Sequence, residues 1–241
     1  MATEVSAERV LALLSRGTLE PVGLLPGASN DTFLATIAED GLETYAVYKP
    51  RDGEAPLWDF PEGTLYRREM AAYVVSEALA WELVPPTVIR DGPMGVGMVQ
   101  LFIDHEPAEH YLTLADAHAD VFRRVAAFDL AINNADRKSG HCLLQRGTGR
   151  IYVVDHGVTF NVQPKLRTVI WEHAGEPIQA EILADLARLA TTLAAGDVRS
   201  LLDELLAAEE MDALEARIAA LLQHAVYPEP GPGRPYPWPP I

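Results

Sequence analysis

Apolar positions switch between helical and strand periods along this chain, and the switches mark its organisation. Over residues 6–16, Val10, Leu11 and Leu14 share one face of a short helix, with Ser6 as its N-cap and Gly17 as its stop. Residues 19–25, 32–38 and 42–49 then read as three strands of an antiparallel meander, punctuated by Pro26-Gly27 and Asp40-Gly41. After a Gly/Pro-broken loop at 51–63, a helical period returns over 64–83, carried by Leu65, Met70, Tyr73, Val74 and Leu79 and ended by Pro85-Pro86. Residues 88–90 and 95–103 predict a hairpin turning at Asp91-Gly92-Pro93. Beyond residue 104 the pattern is mainly helical, over 114–132, 178–193, 198–208 and 211–226. One short hairpin, 141–144 with 151–154, interrupts it. The last fifteen residues hold seven prolines and read as a tail. The expected division is therefore a β-rich part at 1–102, a helical part at 103–226 and a Pro-rich tail at 227–241.

Composition narrows the function classes. The 241 residues are 49% hydrophobic and 22% charged, enough for a sizeable core, and the formal net charge is −16. So acidic a chain lacks the basic footprint of a nucleic-acid binder and is repelled by anionic lipid, so no stable membrane anchoring is expected. The single cysteine, Cys142, excludes an intramolecular disulfide and suits a reducing compartment. Glu4 and Glu8 do not fit a signal peptide, and no apolar run approaches the roughly 18 residues of a membrane span. A cytoplasmic protein is expected.

Candidate chemistry gathers at the late hairpin. Centring its turn on Thr148 pairs His141 with Asp155 across the strands, and Asp136 lies in the polar loop leading into the same end. Singly, each has an ordinary reading: Asp155 as a turn residue before Gly157, Asp136-Arg137 as a surface ion pair, His141 as a packed side chain. Jointly, their spacing matches the catalytic loop and metal-binding aspartate of kinases. Earlier, Lys49 ends an apolar strand on the face of Tyr45 and Val47, where an ammonium is costly unless it meets an anion. Glu69, twenty residues on in the first long helix, can supply one; the alternative pairs Glu69 with Arg67 or Arg68 at the surface. Ser29 and Asn30, in the loop 26–31, can present backbone N–H groups to phosphates, although that loop alone reads as a turn. His105, His110 and His118 are not at ligand spacing.

The loop 26–31, the strand Ala46-Val47-Tyr48-Lys49-Pro50, the helix entry Tyr66-Arg67-Arg68-Glu69, the segment Asn134-Ala135-Asp136-Arg137 and the run Val153-Val154-Asp155-His156-Gly157 together resemble the phosphatidylinositol 3-/4-kinase superfamily. The likeness is to its type II phosphatidylinositol 4-kinase-like and HipA-like members, actinobacterial ones in particular. It implies an α+β, bilobal, protein-kinase-like (atypical kinase) fold and an ATP-dependent phosphotransferase. In that frame Lys49 contacts ATP phosphates and is positioned by Glu69. Asp136 takes or orients the acceptor's hydroxyl proton, and Asp155 binds Mg²⁺ or Mn²⁺. Ser29 and Asn30 lie over the phosphates, and Gln100, Phe102 and Ile103 offer main-chain groups to adenine. One position departs from the pattern: His141 stands where such kinases carry an asparagine for a second metal, a change that favours softer ions or a weakened site. A nucleotide-binding pseudokinase acting through a partner and an AMP transferase on the same fold are the alternatives. Acceptor choice belongs to residues 158–177 and the later helices, where Lys165, Arg167 and Trp171 either face an anionic acceptor or are ordinary surface residues. A soluble hydroxyl, on a metabolite or a protein, is expected rather than a lipid.

Overall fold

The computed structural model describes residues 5–27 and 29–241; Glu4 and Ala28, used in the reading above, lie outside that range. β1 (Thr18–Leu24), β2 (Phe33–Glu39), β3 (Leu42–Pro50), β4 (Thr87–Gly92) and β5 (Gly95–Leu101) form an antiparallel sheet in the order β1-β2-β3-β5-β4. Alternation along β3 buries Ala46 and Tyr48 and leaves Tyr45, Val47 and Lys49 on the opposite, less buried face. The buried face is covered by α1 (Ala7–Arg16), whose Leu13 and Leu14 pack with Ile37, Tyr48 and Val99. The Ser6 hydroxyl oxygen accepts the Arg9 N–H at 3.4 Å, as an N-cap should. Gly17 ends α1 through close approach, with φ at −58°: a Cβ there would lie 2.7 Å from the Leu13 carbonyl oxygen and 2.8 Å from Ile37.

α2 (Leu65–Ala78) is shorter than its period predicted. Ala80 and Glu82 take left-handed φ of 56° and 48°, and the buried Ser76 hydroxyl accepts the N–H groups of Leu83 (2.8 Å) and Val84 (3.2 Å). The chain thereby turns within the helical period and buries Trp81, Leu83 and Val84 in the main core. Ser76→Ala leaves two buried donors without a partner and is expected to lower the unfolding free energy by about 1–3 kcal/mol in urea titrations.

A short helix, α3 (Tyr111–Leu114), precedes the helix expected over 114–132, which begins five residues later than its period predicted, as α4 (Ala119–Ile132). α3 turns aside to meet the loop before the late hairpin, where Leu112 N–H donates to the Ser139 hydroxyl at 3.2 Å. β6 (Cys142–Leu144) and β7 (Ile151–Val153) form that hairpin, and α5 (Ala180–Ala195), α6 (Asp197–Asp203) and α7 (Ala208–His224) follow. Phe122, Phe128, Ile132, Leu186, Leu189 and Leu214 centre the core that these helices share with α2. The chain is thus an antiparallel sheet followed by a helical part. Among the described residues no helix is long and apolar enough to cross a membrane.

From Tyr227 onward the chain has no helix or strand, the isolated bridge of Val226 with Pro177 falling just before it, yet it lies on the helical part. The Pro235 carbonyl accepts from Thr168 N–H at 3.0 Å and Trp171 Nε1–H at 3.2 Å, and the Pro240 carbonyl from Ser139 N–H at 2.8 Å.

Candidate active site

The Lys49 ammonium donates to Glu69 Oε1 at 2.5 Å and to Asp155 Oδ1 at 2.9 Å, joining strand β3, helix α2 and the turn after β7. Burial opposes the ammonium's charge, but Asp155 and Glu69 together outweigh it and hold the lysine protonated. Conversely, Lys49 holds the Asp155 carboxyl well below the usual carboxylate range. Glu69 is buried and uses both oxygens: Oε2 accepts the His156 main-chain N–H at 2.8 Å. A surface pairing of Glu69 with Arg67 or Arg68 is therefore not what the fold adopts. Asp155 sits at φ 64°, a left-handed conformation that aspartate tolerates better than most residues.

His141 Nε2 lies 3.4 Å from Asp155 Oδ2. The two do not face each other across the hairpin as the Thr148-centred turn predicted. The four-residue turn 146–149 pairs Cys142 with Val153 and Leu144 with Ile151, which shifts the register by one and sets His141 opposite Val154, whose N–H donates to the His141 carbonyl at 3.0 Å. The left-handed turn at Asp155 is what returns its carboxylate to the imidazole. Burial lowers the His141 pKa to about 4, so the ring is neutral; Nδ1 is 3.4 Å from the Lys138 N–H.

Asp136 stands apart, its carboxylate 3.1 Å from the Lys138 ammonium. Burial raises its pKa, against the pull of Lys138. The other candidates make no hydrogen bond to this set. Asn30 Oδ1 accepts the Ala55 N–H at 2.8 Å, tying its loop to residues 51–63. Gln100 lies mid-ladder between β3 and β4 with its side-chain amide on Thr87 at 2.9 Å. Phe102 N–H donates to the Tyr45 carbonyl at 3.1 Å, and the Ile103 carbonyl accepts from His105 Nδ1 at 2.9 Å.

Protein Rv2133c of Mycobacterium tuberculosis is 43% identical over 263 aligned residues, spanning 95% of this chain and 94% of that protein. This chain belongs to the Rv2133c family. No protein-family model matches it. Solved structures place the fold of this Rv2133c-family chain among kinase-like ones. The Helicobacter pylori proinflammatory kinase CtkA is similar at TM-score 0.56 and 11% identity, over 89% of this chain and 94% of that one. A Golgi casein kinase with Mn/ADP bound gives TM-score 0.56 and 15% identity, over 91% and 75%. Hydra Fam20 with sugar gives 0.53 and 14%, over 94% and 89%.

Two buried ion pairs unread in the sequence hold this Rv2133c-family site in place. Arg137 is fully buried; its Nε and Nη2 donate to Asp129 Oδ2 and Oδ1, both at 2.9 Å, and Nη1 donates to the Val154 carbonyl at 2.9 Å. A guanidinium only donates, so His156 Nε2, 2.7 Å from Arg137 Nη2, is the acceptor and its proton sits on Nδ1. Asn134 joins the same carboxylate through Nδ2 at 2.9 Å and accepts the Asp136 N–H at 3.0 Å. Arg68, next to Glu69, faces inward to Glu210 of α7 and to the Thr159 carbonyl at 2.7 Å. For Arg68 the available signal was its apolar helical neighbours Leu65, Ala71 and Ala72, three and four positions away; Arg137, flanked at that spacing by Asn133, Asn134, Gly140 and His141, carried none.

Proposed function

We propose that this chain is an ATP-dependent phosphotransferase that moves the γ-phosphoryl group to a hydroxyl of a soluble small molecule or protein. The observation that carries this reading is the Lys49 ammonium held between Glu69 and Asp155, in a chain whose structural neighbours are kinases. Lys49 is the phosphate contact and Glu69 fixes its direction. Glu69 can do so because α2 is itself pinned by Arg68 to α7. Asp136, with its pKa raised by burial, accepts or orients the acceptor's hydroxyl proton. Residues 1–102 and 103–226 are the two lobes of this reading. The 26–31 loop, with Ser29 and Asn30, is assigned to the phosphates, and the main chain of Gln100, Phe102 and Ile103 to adenine, both from the resemblance to phosphatidylinositol 3-/4-kinase-like proteins.

A divalent ion suits the remaining donors. A carboxylate oxygen and a neutral imidazole nitrogen converge at 3.4 Å, so Asp155 and His141 are the residues to hold it. When bound, it supplies charge neutralisation for the phosphate oxygens. A nitrogen donor favours Mn²⁺ over Mg²⁺ relative to an all-oxygen site.

The test is incubation with γ-labelled ATP and either metal. Wild type is expected to transfer label faster with Mn²⁺, and Lys49→Met to lower kcat/KM for ATP by about 100-fold or more. Equal label transfer by wild type and Lys49→Met overturns the reading. A parallel incubation with α-labelled ATP that labels the acceptor, while γ-labelled ATP does not, assigns AMP transfer instead.

A further inference from the structure

A cavity of about 960 Å³ reaches Asn133, three residues before Asp136. Its walls are the end of α4 with Asn133, residues 162–171, one face of α7 and the returning C-terminal segment. Small residues make the room: Ala213, Ala216 and Ala220 line the α7 side, and Leu166 and Trp171 belong to the same lining. The size falls within the range of sites that enclose small organic molecules, roughly 300–1,000 Å³.

The charge of this cavity is opposite to that of the chain. Against a net charge of −16, its lining holds Lys165, Arg167, Arg217 and Arg234 with Glu229 as the one acidic residue. Lys165 is already paired with Asp59 at 2.8 Å. Among the described residues, Arg167, Arg217 and Arg234 have no carboxylate within ion-pair distance, 4.0 Å. Arg167 and Arg234 are exposed and free to turn toward an occupant. Arg217 donates from Nε to the Ala131 carbonyl at 2.7 Å and from Nη1 to the Asn161 carbonyl at 3.2 Å, while its buried Nη2 has no partner. Burial pushes its pKa down to about 10. Glu210 favours the Arg217 charge from beyond ion-pair distance but is itself paired with Arg68, so the cation is half-buried with no counter-charge in contact, and an anion in the cavity offsets that cost.

The cavity is also joined to the candidate active site. Arg167 N–H donates to the Asn134 carbonyl, and the Arg167 carbonyl accepts from Arg137 N–H, both at 2.9 Å. The Asn133 amide donates to the carbonyls of Asn161 and Gln163 at 2.8 and 2.7 Å and accepts the Lys165 N–H at 2.9 Å. The Arg167 charge acts on the Asp136 carboxyl as well, favouring its ionised form. One arginine thus belongs both to the cavity wall and to the surroundings of the proposed base.

We infer that this cavity binds an organic anion with an apolar body, its carboxylate or phosphate held by Arg167 and Arg234 and its body against the alanine face of α7. Members of this class that also carry a hydroxyl are then the acceptors: the hydroxyl oxygen takes the γ-phosphoryl group, ADP leaves and the proton passes to Asp136, a clause that rests on the phosphotransferase reading. The test uses 8-anilinonaphthalene-1-sulfonate, an aromatic anion, and the neutral N-phenyl-1-naphthylamine, read by fluorescence titration of the full chain. Wild type is expected to bind the anion at one saturable site, at least about tenfold tighter than the neutral probe. Arg167→Gln/Arg234→Gln should weaken the anion about tenfold or more and leave the neutral probe unchanged. Ala220→Trp, which fills space at an exposed position, should abolish binding of both. Asp155→Asn should change neither, so loss of phosphotransfer and loss of the cavity are read separately. Unchanged anion binding in Ala220→Trp, or in the double arginine variant, overturns the inference. If the cavity variants behave as expected but γ-labelled ATP transfers no phosphate, the cavity stands and its acceptor role falls.

Discussion

Asp155→Asn is expected to reduce γ-phosphoryl transfer by about 1,000-fold or more while leaving the fold nearly intact. Asparagine is the right replacement because position 155 has φ 64°, which Asn tolerates, whereas Ala adds about 1–2 kcal/mol of backbone cost and blurs the result. The size of the effect follows from what Asp155 touches. One oxygen meets the Lys49 ammonium and the other faces His141, so a single carboxylate serves both the phosphate-binding lysine and the metal-holding pair. Lys49 keeps Glu69 in the variant, and Glu69 keeps the His156 N–H, so the join between α2 and the turn survives. Thermal unfolding within a few degrees of wild type, together with the loss of transfer, is the expected pair of readings. Retention of more than about a tenth of the activity removes Asp155 from the chemistry.

That prediction draws on the part of the site that was legible in the sequence. A lysine closing an apolar strand has few stable solutions, and an acid on the next helix is the simplest. The chain adopts it, with the ammonium between Glu69 and Asp155. Strand positions were legible for the same reason: β1 to β5 alternate or carry turn residues at their ends, and their limits move by only a residue or two. Helix ends were less so. The period over 64–83 contains no breaker before Pro85, and only the tertiary demand to bury Trp81 and Leu83 makes Ser76 stop α2 early. The hairpin register depended on a single residue in a Gly-Thr-Gly turn, where the pattern of side chains does not decide between centres. Asp136-Arg137 reads as a surface pair because adjacent opposite charges usually are one. In the fold these neighbours part, Asp136 to Lys138 and Arg137 inward to Asp129. The cavity was the least legible, because its cations come from residues 165–167, 217 and 234, which only the folded chain brings together.

Arg137 is where stability and positioning separate, and Arg137→Met is expected to show both. The substitution strands the buried Asp129 carboxylate and leaves the Val154 carbonyl and His156 Nε2 without their donor. Breaking such a pair from one side costs about 3–5 kcal/mol, and for a chain of this size each kcal/mol lowers Tm by about 2–4 °C. Asp129→Leu/Arg137→Met removes both charges, and much of the lost stability should return, since burying an ion pair is itself expensive. Activity should not return with it. Asn134 places the Asp136 main chain and is itself held by Asp129, so the double variant leaves the proposed base on a loop without its anchor. A double-mutant cycle in Tm, read beside kcat and KM, distinguishes the outcomes. Stability recovered with kcat still low assigns Arg137 and Asp129 to positioning the Asp136 loop. Recovery of both reduces the pair to a structural role, and a single variant as stable as wild type contradicts the buried pair itself.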